Sequence, residues 1–128
     1  MATEILGIHH VSIKCNSEEL FAKTLRFYGE ILGLKVKRTW KEGAMFETGG
    51  GLIEIFTTGA DLPGEGAVRH FALAVHGVDD LAGRIQAAGY EIFDGPRDIC
   101  IPSDPPCKAR IAFCYGPVGE KIELFDEH

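Results

Sequence analysis

The sequence predicts an α+β fold: two tandem βαβββ modules whose strands form a curled mixed sheet around a concavity. Two observations carry that prediction. The order strand, helix, three strands is legible twice along the chain, and each helical stretch stops at a glycine, Gly33 or Gly89. Four short runs, HHVSI, LIEIF, RHFAL and KIELF, place a polar residue between apolar neighbours with the period of two that a strand imposes.

The first module covers about residues 5–58 and the second about 68–126, within a single domain of 128 residues. After the strand at His10, a helix begins near Asn16 or Ser17. Its residues Leu20, Phe21, Leu25, Tyr28, Ile31 and Leu32 form one apolar face, and Gly33 suits a left-handed cap. Three strands follow, the last being LIEIF. The second module repeats this with RHFALAV, a helix begun by Asp79 and stopped by Gly89, then YEIF, KARIAFCY and KIELF. His10 and Glu54 are 44 residues apart, His70 and Glu123 are 53 apart, so the modules are related but unequal. The extra length falls mostly in Asp98–Cys107, a proline-rich segment expected to be either a lid or a rigid surface loop. Gly59–Ala67 reads as the linker.

Alternation assigns faces. Val11, Ile13, Ile53, Ile55, Phe71, Leu73, Val75, Ile122 and Leu124 are expected under the helices, and the alternate set, with His10, Glu54, His70 and Glu123, lines the concavity. The same reading puts Ile111 and Phe113 under a helix and Lys108, Arg110, Ala112 and Cys114 in the concavity. Two carboxylates on an inward face need a counter-charge, because burying an ionised carboxylate alone costs several kcal/mol. Two imidazoles and two carboxylates are oxygen and nitrogen donors suited to a divalent ion. His9 leaves its strand by the opposite face and is not counted, and His76 and His128 are read as solvated.

Composition narrows the function. A net charge of −6 argues against a phosphate backbone as partner, so no nucleic acid is expected. No apolar run approaches the roughly 18 residues that cross a bilayer, so no membrane partner is expected. The start, MATEILGIHH, enters a strand pattern without a secretory signal, from which a cytoplasmic location is expected. Cys15, Cys100, Cys107 and Cys114 contain no CxxC pair and are read as thiols.

Taken together, the paired modules and the ordered motifs HHVSI, FYGEILGL, LIEIF, RHFALAV and KIELFD resemble the vicinal oxygen chelate superfamily, from about Ile5 to Asp126. That superfamily includes glyoxalase I, bleomycin-resistance proteins, extradiol dioxygenases and methylmalonyl-CoA epimerase. The resemblance implies one divalent ion held by His10, Glu54, His70 and Glu123. The His/Glu/His/Glu pattern is most similar to bacterial glyoxalase I, lactoylglutathione lyase, which implies nickel or cobalt, with zinc also competent. It further implies isomerisation of the hemithioacetal of methylglyoxal and glutathione to an S-lactoyl thioester through an ene-diolate, with Glu123 as base and Glu54 as the alternative.

Substrate contacts are expected from Lys14, Thr58, Lys108 and Arg110. Lys14 and Thr58 depart from the family's Arg and Asn at those places, losing a bidentate fork and an amide. Two other functions stay open: an epimerase or isomerase of another acyl substrate, and a non-catalytic small-molecule binding or resistance protein. The resemblance implies a homodimer, with the site inside one chain or shared between two.

Overall fold

The computed structural model describes residues 3, 6–59, 66 and 68–128; the expected linker lies almost wholly outside the described residues. The chain divides into two compact units, Met1–Leu62 and Pro63–His128. Each is a four-stranded mixed sheet with a helix, so the α+β class and the repeated βαβββ order hold, with one sheet per unit where a single curled sheet was expected.

The first unit runs β1 (His10–Lys14), α1 (Glu18–Arg26), β2 (Lys35–Trp40), β3 (Gly43–Glu47) and β4 (Leu52–Phe56), with strand order β1-β4-β3-β2. Ser17 starts α1 as its N-cap, its hydroxyl accepting the Leu20 N–H at 3.1 Å. Glu18 and Glu19 in the first turn and Lys23 and Arg26 in the last complement the helix dipole. The helix continues through a wide π turn, Phe27–Ile31, closed by the Leu32 N–H on the Phe27 carbonyl at 2.9 Å, and stops at Gly33 with φ +74. The extra residue in that turn sends both Phe27 and Tyr28 into the core, where neither has exposed surface. Gly29 lets the turn close on the sheet, since a Cβ there would stand 3.1 Å from the Phe46 ring. Beneath lie the rungs Val11–Ile53–Phe46 and Ile13–Ile55–Ala44.

The second unit runs β5 (Phe71–Ala74), α2 (Val78–Ala87), β6 (Ile92–Ile101), β7 (Cys107–Tyr115) and β8 (Lys121–Glu127), in the order β5-β8-β7-β6. Its helix starts differently from expectation: Gly77, with φ +78, is the N-cap, and Asp79 sits inside the first turn. Asp79 instead takes two hydrogen bonds from Arg110 of β7, at 2.6 and 2.9 Å. The segment Asp98–Ile101 is strand paired to Cys107–Arg110, which makes the proline-rich stretch the end of a long hairpin. A lid would need that stretch free of the ladder.

The pair Asp79–Arg110 has a pH signature. Hydrogen bonds from Arg110 hold the Asp79 carboxyl below its ordinary 3.8, so its stabilising effect is present above that value and lost as pH falls through the lowered one. Arg110→Gln is therefore expected to lower the urea midpoint at pH 7, with the difference from wild type shrinking below about pH 3.8. An equal difference at pH 7 and pH 2 would show that the pair contributes nothing.

Candidate metal centre

Parallel pairing of β1 with β4, and of β5 with β8, sets the site residues. In the first unit Ser12 faces Glu54 across the ladder and His10 lies one rung away, on the same side of the sheet. The His10 Nε2 is 3.4 Å from Glu54 Oε1. In the second unit His70 directly precedes β5, and its Nε2 is 3.2 Å from Glu123 Oε1. Both carboxylate residues are 8% exposed. Two copies of one arrangement thus arise from the repeat: a buried Glu oxygen against an accessible imidazole Nε2. Among the described residues neither unit by itself gathers three His, Cys, Asp or Glu into a metal-binding group; each offers two.

Burial pushes the Glu123 carboxyl above its ordinary value, His70 opposes that shift, and the charges of Asp94 and Arg97 act on it from β6. For His10 to present a lone pair at Nε2 its proton must sit on Nδ1. That atom is 2.9 Å from His9 Nδ1, which can accept it. His9 therefore touches His10, a contact that the face rule alone did not reveal.

The walls of the two pairs differ. In the first unit Lys14 stands with its Nζ 5.8 Å from the centre of the Phe56 ring, and Trp40 meets Phe56 edge-on at 5.5 Å. Thr58 is exposed, two residues beyond β4. Arg38 occupies the rung Arg38–Met45–Glu54 and donates to Met45 Sδ at 3.2 Å. In the second unit Phe113 is directly opposite Glu123 and touches the His70 ring edge-on at 5.3 Å. Phe93 lies against Phe113 and stacks on Tyr115 at 4.4 Å, extending the aromatic wall. Arg97 forms a bidentate pair with Asp94 at 2.8 and 3.0 Å.

This register reverses the expected facing of β7. Phe113 and Ile111 share the Glu123 side, while Ala112 and Cys114 pair with Leu124 and Ile122 on the helix side. Arg110, bound to Asp79 of α2 and to Asp98, shares the helix side, as does Lys108 by alternation, so neither faces Glu123. Both sides of β7 carry buried residues, Ile111 on one and Ala112 and Cys114 on the other, and the helix side takes the small residues so that α2 can approach closely; apolarity alone cannot then name the face. The missed cations Arg38 and Arg97 follow register shifts, between Val36 and Arg38 and between Asp94 and Arg97, where period-two reading fails. The cysteines are free thiols, and burial pushes Cys114 up to about 12, which keeps it protonated on the helix side of β7.

No curated protein is recognisably similar to the chain. Among solved structures, one described as a glyoxalase family protein from Bacillus anthracis is 23% identical, with a TM-score of 0.74 and 100% of both chains covered. A glyoxalase/bleomycin resistance protein/dioxygenase from Alicyclobacillus acidocaldarius is 15% identical, with a TM-score of 0.69 over 94% of this chain and 91% of its own. The glyoxalase family protein from Enterococcus faecalis is 23% identical, with a TM-score of 0.67 over 94% and 97%. At such identities these likenesses establish the fold. The model of the Glyoxalase/Bleomycin resistance protein/Dioxygenase superfamily matches residues 7–124, nearly the whole chain, and the protein belongs to that superfamily.

Proposed function

We propose that the two His–Glu pairs serve one divalent cation and that the protein is a metal-dependent lyase of the glyoxalase I kind. Its substrate in this reading is the hemithioacetal of methylglyoxal and glutathione, and its product the S-lactoyl thioester. The observation that carries the reading is the duplicated pair: buried carboxylates in Glu54 and Glu123, each with an imidazole Nε2 within 3.4 Å. Such donors fit a divalent ion chemically, because the carboxylates need a counter-charge and neutral imidazoles supply lone pairs without adding charge. Nickel or cobalt suits the set, and zinc is also accepted by it.

When bound, the ion supplies Lewis-acid stabilisation of negative charge on adjacent substrate oxygens. The remaining work falls to the chain. Glu123, made more basic by burial, takes the proton from the carbon beside the carbonyl and returns it to the neighbouring carbon. Glu54 is the second candidate for that role. Phe113, Phe93 and Tyr115 form an apolar wall beside His70 that favours the methyl end of the substrate and limits water. Lys14 offers a cation on the His10 side of β1. The pairs come together within one chain or across a homodimer; the fully exposed β2 edge, with Val36 and Trp40 on it, supports association with a second copy. Cytoplasmic residence accords with thiol chemistry and free cysteines. Among the described residues no helix is long and apolar enough to cross a membrane.

The test is turnover of preformed hemithioacetal by metal-free protein, then after separate addition of nickel, cobalt, manganese and zinc. Thioester formation that depends on an added metal is expected. Tight metal binding with no turnover would refute the lyase reading and direct the search to other acyl substrates.

A further inference from the structure

A cavity of about 800 Å³ opens at one end of the first sheet, between the segment entering β1, the start of β2 and the β3–β4 turn. That volume lies within the range of small-molecule sites. Its charged lining is three cations, Lys35, Lys37 and Arg38, against one carboxylate, Glu47. Lys37 is neutralised by Glu47 at 3.5 Å. Among the described residues Arg38 bonds to the neutral sulfur of Met45, and Lys35, directly opposite Glu47 in the ladder, forms no ion pair. In a chain whose net charge is −6, a cavity lined by three cations and one carboxylate is a local reversal of sign that would concentrate anions.

The turn adds donors. Thr48 closes it: its N–H donates to the Gly51 carbonyl at 2.9 Å, its hydroxyl donates to the same oxygen at 2.8 Å and accepts the Gly51 N–H at 3.1 Å. The N–H groups of Gly49 and Gly50 are left with no partner among the described residues, and a Cβ at either position would meet nothing within 4 Å. Open backbone N–H groups beside free cations make a receptor for oxygen anions.

The cavity is lined by neighbours of the His10–Glu54 pair. Leu52 lines it and is paired with His10, and His9 lines it and contacts His10 at 2.9 Å. Arg38 and Glu54 lie on one rung with Met45 between them, two strand spacings or about 10 Å apart.

We infer that this cavity binds the carboxylate or phosphate end of an organic anion, held by Lys35, Arg38 and the Gly49–Gly50 backbone. Resting on the metal-centre reading, the inference makes the substrate a molecule that carries an anionic end away from its reacting oxygens. It replaces Lys108 and Arg110, which lie on the helix side, as the source of anion recognition.

The test is an amide chemical-shift titration of metal-free protein with inorganic phosphate and, separately, acetate. Saturable shifts at Lys35, Gly49 and Gly50 with either anion are expected, and the anion that gives them identifies the end group. Lys35→Gln with Arg38→Gln should weaken the binding about tenfold or more. Lys35→Gln alone, at an exposed residue, should weaken it in a chain that folds normally. Absence of saturable shifts with both anions, or unchanged affinity in the folded single and double variants, would overturn the inference. Failure of the metal reading is seen separately, as wild-type protein that takes up no nickel while these shifts persist.

Discussion

Glu123→Gln is expected to lower metal-dependent thioester formation by about 10²–10⁴-fold, the usual scale for loss of a general acid–base group. The amide matches the carboxylate in shape but cannot take a proton, and it is a weaker ligand. Measured as kcat/KM at saturating metal, the loss should exceed that of Glu54→Gln if Glu123 is the base; the reverse order would assign the role to Glu54. Thermal unfolding of the metal-free variant supplies the control. Glu123 is 8% exposed, so the substitution removes a buried charge and should leave the metal-free chain no less stable than wild type. A large fall in melting temperature would mean that lost activity reports unfolding.

Phe27→Ala is expected to cost about 3–5 kcal/mol in urea unfolding, the range for truncating a buried aromatic ring. Phe27 has no exposed surface and meets Tyr28 edge-on at 5.1 Å, and Tyr28 in turn lies 6.4 Å from Phe46 of β3. Removing the ring leaves a cavity where the π turn joins the sheet that carries Glu54. Lys41→Ala in the exposed turn after β2 is the comparison, with an expected change within about 0.5 kcal/mol. Similar values for the two would show that the π turn contributes little to the core.

The site was legible where alternation and topology agree. β1, β4 and β8 each set β-branched or leucine residues on the helix side, Val11 and Ile13, Ile53 and Ile55, Ile122 and Leu124, so His10, Glu54 and Glu123 could be assigned to the other face from sequence, and the structure pairs each carboxylate with its histidine. Ser17 and Gly33 were legible because capping chemistry is local. β7 was not, because apolar residues stand on both of its sides: Ile111 and Phe113 on the Glu123 side, Ala112 and Cys114 where they make room for α2. Asp79 looked like a helix cap because aspartate is a common one, yet its partner is Arg110, 31 residues away, a contact with no local signal. Arg38 and Arg97 were missed for a third reason. Each follows an irregularity that resets the period of two, and a bulge leaves little trace in the residues around it.

Membership of the superfamily settles the fold and a repertoire that spans enzymes and resistance proteins. The lyase reading depends on whether the two pairs act as one centre. Nickel titration of wild type, His10→Ala and His70→Ala, followed calorimetrically on folded protein, tests that most directly. One ion per chain in wild type is expected, with affinity falling more than about 100-fold in either variant, beyond what loss of a supporting contact produces. Uptake that survives in either variant with wild-type affinity would contradict a shared centre.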